Sequence, residues 1–158
     1  MIKDSGERRE FSTGAVRDMA VGKGRCDLMP LNIVAALMND EIICSIASFQ
    51  QTGLVIHLYA ALGAFSKFYE KGLPDMMLEV SKHYEEGCIK YGENNWQKGL
   101  PISCYIDSMV RHYLKFIRGD DDEEHGRAFV WNVLCCAWEQ NRKTKMYEET
   151  EVGIIENH

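Results

Sequence analysis

Residues 120–138 read DDDEEHGRAFVWNVLCCAW, and the fold is decided where this stretch changes character. Five consecutive acids and a histidine lead into an apolar run in which Asn132 is the only polar side chain from Ala128 to Trp138. Projected at about 100° per residue, that run is apolar on every face. A helix apolar all round is buried all round, so the segment predicts the central helix of an all-α domain. His125 and Asn132 are seven positions apart, which sets them within about 20° of each other on that helix. Ala128 and Cys136 flank them with small side chains. A polar stripe bordered by small residues leaves room for a ligand. The acids precede the helix, where the macrodipole favours negative charge. Capping accounts for one or two of them; five point to a hard cation with oxygen ligands.

Outward from this stretch the texture stays helical. The expected helices run from about Asp75 to Tyr91, Ser103 to Arg118 and Glu123 to Arg142. Further upstream, Asn39-Asp40 separates two short helices, and Gly53 precedes an apolar helix closed by Gly72 and Pro74. Residues 1–30 read as a mostly irregular N-terminal arm: FSTGAVRDMAVGKGRCDLMP mixes glycines and scattered charges without a sustained period. Such a segment suits a lid ordered by a ligand. No strand alternation stands out. The expected organisation is an arm at 1–30, a helical domain at 31–145 and an acidic, frayed tail at 146–158.

Composition bounds the function. A chain of 158 residues forms one domain able to bury roughly 70% of its unfolded surface. The net charge of −6 argues against binding a nucleic-acid polymer through its backbone, which needs a basic face. No apolar run approaches the roughly 20 residues that span a bilayer, and MIKDSGERREF lacks the apolar core of a signal peptide. The six cysteines form no CxxC pair and no zinc-ligand spacing. Four of them fall in apolar helical contexts, where a free thiol packs as a small hydrophobe. A reducing, cytoplasmic compartment is the expectation.

Polar side chains on two of the expected helices fall inside or at the edge of an apolar face. On the helix from Asp75, the apolar stripe is Met77, Val80, Tyr84, Cys88 and Tyr91, widened by Leu78 and Ile89. Glu85 projects inside that arc, where a carboxylate needs an ion pair or a metal. His83 belongs to the opposite, charged arc. Asp107 and Arg111 are i,i+4 neighbours, which fits a surface salt bridge as well as a site. His112, at the other edge of the same helix, reads as a satisfied core histidine or a ligand.

GKG at 22–24 lacks the Ser/Thr and the spacing of a P-loop, and neither GxSxG nor HExxH occurs. The segments FSTGAVRD, GKGRCDLMP, HYEEGCIKYGENNWQKGLP, YIDSMVRHYLKF and GDDDEEHGRAFVWN together resemble the phage and prophage dATP/dGTP diphosphohydrolase family. That family is related to the all-α MazG-like nucleotide pyrophosphohydrolases. The resemblance covers residues 11–33 and 76–140, with 34–75 reading as an insertion. It implies a single MazG-like helical bundle that hydrolyses a purine deoxynucleoside triphosphate (dGTP or dATP) to monophosphate and pyrophosphate. It also implies a homo-oligomer. The chain departs from the wider MazG-like pattern: no acid lies three residues after Glu85 or Glu86, and no ExxD occurs.

Hydrolysis of a phosphoanhydride needs a positioned water, an in-line leaving group and neutralised phosphates. On that expectation Glu85, Asp107, Asp122 and Glu123 converge on Mg²⁺. Arg17, Lys23, Lys90 and Arg111 hold phosphate oxygens, and His112 or His125 orients the water or the leaving pyrophosphate. Trp96 is a base-stacking platform or a structural residue, and Asn95 and Asn132 read a base or sugar edge or serve the scaffold. The competing expectation is a protein that binds and sequesters a nucleotide without turnover.

Overall fold

The computed structural model describes residues 6–155, with side chains through residue 146. Two short strands, β1 (Arg8–Glu10) and β2 (Val16–Asp18), pair antiparallel, and a 3-10 turn follows at Cys26–Leu28. Then come α1 (Leu31–Met38), α2 (Glu41–Thr52), α3 (Ile56–Phe65), α4 (Leu73–Tyr91), α5 (Ile102–Arg118) and α6 (His125–Ile155). The domain is mostly helical, as the sequence predicts.

Local chemistry sets the helix ends. Asn39, left-handed at φ 49°, closes α1, and Asp40 opens α2 by accepting from the amides of Ile42 and Ile43 at 2.9 Å each. The other oxygen of Asp40 accepts from the Tyr113 hydroxyl on α5, so the cap also ties two helices together. Pro74 sits in the first turn of α4, where its missing amide proton is no loss. Gly119 ends α5 at φ +86°, a conformation other residues enter at a cost.

The core is the α5–α6 contact. Tyr105, Ile106, Met109, Val110 and Tyr113 from α5 meet Phe129, Val130, Val133 and Cys136 from α6, all buried. Each of the Val, Ile, Met and Phe side chains among them contributes about 1.5–3 kcal/mol. The α1–α3 layer closes one side: the Phe65 ring lies 4.6 Å from Phe129 and 5.0 Å from Phe116, with Ile43, Ile46, Phe49 and Leu58 buried around it. The stretch at 34–75 thus contributes to the core, from Ala35 to Phe65. α4 packs on α6 from another direction.

Several expectations change. The arm contains a β-hairpin, with Phe11–Gly14 forming its turn and Gly14 at φ +84°. Ala15 is fully buried. α6 continues through Ile155, beyond the expected end at Arg142; residues 1–5 and 156–158 lie outside the described residues. Cys88, expected in the apolar stripe of its helix, is exposed, as is Cys44, whereas Cys135 and Cys136 are buried.

The largest change concerns α4. Met76 and Val80 form its buried side, while Leu78 and Ile89 are 68% and 82% exposed and Glu85 is exposed between them. The inward face instead carries His83 and Gly87, because α4 borders a cavity rather than solid core. A hydrophobic projection cannot find such a face, since its lining is polar.

Candidate functional site

That cavity has a volume of about 540 Å³, within the range of small-molecule sites. It is enclosed by the β-hairpin and the segment after it, α4, α5 and the start of α6. The hairpin register fixes one wall. Arg9 and Arg17 are directly opposed across the two strands, so both point to the same face, and both line the cavity. Like charges at that position repel. Neither has a carboxylate partner among the described residues. Arg17 donates through Nη2 to Ser108 Oγ and Asn132 Oδ1, both neutral, at 3.2 Å each. Its guanidinium lies 5.7 Å from the Trp131 ring and 5.9 Å from Tyr105. Arg17 Nη1 and Arg9 Nε are buried without a hydrogen-bond acceptor. Burial, opposed by Tyr105 and Cys104, pushes the Arg17 guanidinium below its ordinary value. An uncompensated cation pair at a cavity wall suits a polyanion.

The arm is locked in place by side chains the sequence assigned to ligands. Asn95 accepts from Val16 N and donates to Val16 O, both at 2.9 Å, so both ends of its amide are occupied. Lys90 pairs with Asp18 at 3.0 Å, and Arg8 pairs with the same carboxylate at 2.9 Å. Asp107 accepts from the Cys26 amide at 2.7 Å and from Arg111, and Arg111 also donates to the carbonyls of Lys23 and Gly24. Asp107 and Arg111 line the cavity, yet their hydrogen bonds hold the segment at 23–26 on α5. Lys23 is exposed at the mouth, and desolvation lowers its pKa.

The opposite wall is built from the α5–α6 turn. His112 Nδ1 lies 2.9 Å from His125 Nδ1, and His125 Nε2 lies 2.7 Å from Asp122 Oδ1. Glu123 Oε2 is 3.9 Å from both Nδ1 atoms. The hydrogen bond from His125 holds the Asp122 carboxyl below its usual range. Burial, reinforced by His125 and Arg17, pushes the His112 imidazole well below its ordinary value. The hydrogen bonds are consistent with one set of tautomers, in which His125 Nε2 donates to Asp122 and His112 Nδ1 donates to His125 Nδ1; this set leaves the His112 Nε2 lone pair for the cavity that His112 lines. His125 itself is 2% exposed, behind the wall rather than on it.

Among the described residues, two trios have ligand atoms within 4.8 Å of one another: His112, Glu123 and His125, and Asp120, Asp122 and His125. These carboxylates and imidazoles fit a divalent cation. Glu85 belongs to neither trio and does not line the cavity; it faces solvent on α4.

Of the predicted site residues, Arg17, Lys23, Arg111, Asn95, Asn132, Asp107, His112, Asp122 and Glu123 meet at this cavity. Asn132, 2% exposed, donates to the Ala128 carbonyl at 2.8 Å while its oxygen receives Arg17. Trp96 lines an adjoining pocket, held edge-on between Tyr84 and Trp138 at 5.8 and 5.0 Å. Sequence reasoning missed Arg9, His83, Lys115 and Trp131, all of which line the cavity. Only Arg9 carried a signal, since RRE and VRD flank a turn and set two arginines opposite each other.

A divided cavity, cationic at the hairpin and acidic with imidazoles at the α5–α6 turn, can hold a polyanion with a divalent cation between the walls. No helix among the described residues is long and apolar enough to cross a membrane. Among curated proteins and solved structures, no match to the chain is found. A family model does match, over residues 63–149 and so over more than half of the chain: with α4, α5 and most of α6 inside it, this protein belongs to the dATP/dGTP diphosphohydrolase, N-terminal, family.

Proposed function

We propose that the chain hydrolyses a purine deoxynucleoside triphosphate to the monophosphate and pyrophosphate in a magnesium-dependent reaction. The observation that carries this reading is the opposed, unneutralised pair Arg9 and Arg17, facing a cavity whose other wall holds Glu123, Asp122 and His112. Arg17, Arg9 and Lys23 take the phosphate oxygens. Mg²⁺ prefers oxygen donors, so Glu123 and Asp122 would hold it, leaving the imidazoles as proton carriers. When bound, the cation supplies charge neutralisation on the phosphates and acidifies nearby water.

The protein's own part is proton transfer and positioning. His112 Nε2 accepts a proton from the attacking water as its oxygen bonds to the α-phosphorus. The bond from that phosphorus to the bridging oxygen of the β-phosphate breaks, and pyrophosphate leaves with the bonding pair. The His125–Asp122 pair behind His112 orients its imidazole and stabilises the imidazolium that forms, because the carboxylate lies at the far end of the chain of bonds. Arg17 and Arg9 hold the departing charge.

The test is incubation with a panel of deoxynucleoside triphosphates and magnesium, with quantitation of monophosphate, pyrophosphate and orthophosphate. Pyrophosphate from dGTP or dATP, abolished by EDTA, is the expected result. Orthophosphate as the first product, or turnover insensitive to EDTA, would overturn the mechanism. Stoichiometric binding without product would instead identify a sequestering protein, a reading favoured by the commitment of Asp107 to the Cys26 amide and Arg111.

A further inference from the structure

Beside the main cavity lies a second pocket of about 260 Å³, lined by Tyr84, Tyr91, Trp96 and Trp131 with Glu93 and Asn94 at its edge. The two spaces share Gly87, Tyr91, Asn95 and Trp131. Trp131 joins them chemically, since it bounds the aromatic pocket and also lies against the Arg17 guanidinium of the phosphate wall. The rings are fixed rather than loose: Trp96 stands edge-on to Tyr84 and Trp138, and the Tyr84 hydroxyl meets Cys135 Sγ at 3.2 Å. A pre-set aromatic pocket takes a flat π-system at little entropic cost.

Gly87 is the doorway. It sits inside α4, where glycine is less favourable than alanine by up to about 1 kcal/mol. Its φ is not positive, so the backbone does not require glycine, and nothing lies within 4 Å of the place a Cβ would occupy. What the missing side chain provides is open space where the two pockets meet.

Resting on the phosphate reading above, we infer that the second pocket receives the nucleobase and that Glu93 selects guanine over adenine. Glu93 is exposed at the rim, in the loop after α4, and has no ion pair among the described residues. A carboxylate is acceptor-only. Guanine offers two adjacent donors, N1–H and the 2-amino group, which a carboxylate can take together. Adenine presents the unprotonated N1 on that edge, which a carboxylate repels. Trp96 supplies the stacking face, since the Tyr91 ring already meets Arg8 at 5.3 Å and Lys90 at 5.0 Å.

The test is equilibrium binding to the full chain of the α,β-methylene analogues of dGTP and dATP, whose scissile bridge cannot hydrolyse, and of inorganic tripolyphosphate. The wild type is expected to bind the guanine analogue about tenfold more tightly than the adenine one. Glu93→Gln should abolish that preference, because an amide can pair with either base: it donates to adenine N1 and accepts from the 6-amino group, or donates to guanine O6 and accepts from N1–H. Gly87→Leu should weaken both nucleotides by about tenfold or more, with tripolyphosphate binding retained and melting no lower than wild type. An unchanged guanine-to-adenine ratio in Glu93→Gln overturns the selection. Retained nucleotide affinity in Gly87→Leu overturns the placement of the base. If tripolyphosphate binds but the base adds nothing, this inference alone fails. If neither binds, the phosphate reading fails with it.

Discussion

Asn95 and Val16, 79 positions apart, make a two-point clamp: the Val16 amide donates to Asn95 Oδ1 and Asn95 Nδ2 donates to the Val16 carbonyl, both at 2.9 Å. The side-chain amide thus replaces a strand neighbour for β2, which pairs on one edge only with β1. Arg17 follows Val16 directly, so the clamp sets the height of the cationic wall.

Asn95→Ala removes both bonds and leaves two backbone groups without their partner, which should cost about 1–3 kcal/mol. The Michaelis constant should rise as Arg17 loses its register. Asn95→Asp keeps the acceptor for Val16 N and loses the donor, so its defect should be intermediate. Urea denaturation and steady-state kinetics on the two variants read both effects. An Asn95→Ala protein as stable and active as wild type would show that the hairpin is held without the clamp.

Glu123 and Glu85 separate the cluster from the projection. Glu123 lies 3.9 Å from both imidazole Nδ1 atoms, whereas Glu85 is in solvent. Glu123→Gln should raise the magnesium concentration for half-maximal activity by about tenfold or more, since an amide oxygen is a weaker ligand for a hard cation. Glu85→Gln should leave the magnesium titration unchanged. The opposite pattern would put the metal on α4.

Acid should destabilise the fold through its half-buried histidines. Burial pushes the His83 imidazole down to about 4; Glu86 opposes this shift, while Arg127 and Arg17 add to it. The unfolded value is about 6.5, so between these two values the unfolded chain binds a proton that the folded chain does not. Stability is therefore full above pH 6.5 and falls as pH drops toward 4, by about 2 kcal/mol at pH 5 from this residue alone. His112 acts in the same direction. His83→Phe, which keeps a ring against Trp131, should lose less stability than wild type between pH 7.5 and 5 in urea titrations. Equal losses would mean that His83 is protonated in the folded state.

The helices were legible where the sequence obeys helical chemistry. α5 starts within one residue of its expected position and ends where expected, because Pro101 and Gly119 mark its limits. The apolar run at 128–138 gives the centre of the core for the same reason. The hairpin was not legible, because three-residue strands show no alternation and their pairing depends on Asn95, far along the chain. α4 was read on the wrong arc because His83 and Gly87 face a cavity, and a ligand wall has the polarity of a surface. Nine of the residues singled out in the sequence line the cavity. For Asp107 and Asn95 the sequence leaves a ligand contact and a scaffold role both open, and for Lys90 it suggests a phosphate contact; in the structure all three make hydrogen bonds to the arm.

Arg17→Met separates binding from scaffold most directly. Arg17 is desolvated, opposed by Arg9 and has no carboxylate partner among the described residues, so its charge destabilises the empty protein. Methionine removes that charge and fills much of the same space. Against this gain, Ser108 and Asn132 each lose a donor. The two effects oppose each other, and the melting temperature of the unliganded variant should stay close to wild type. Ligand linkage should change far more. Tripolyphosphate at one hundred times its dissociation constant should stabilise wild type by about 2.7 kcal/mol. At the same concentration Arg17→Met should gain almost nothing, and turnover should disappear. A variant that melts several degrees lower but is still stabilised by tripolyphosphate would make Arg17 a structural residue and move the phosphate site elsewhere on the cavity wall.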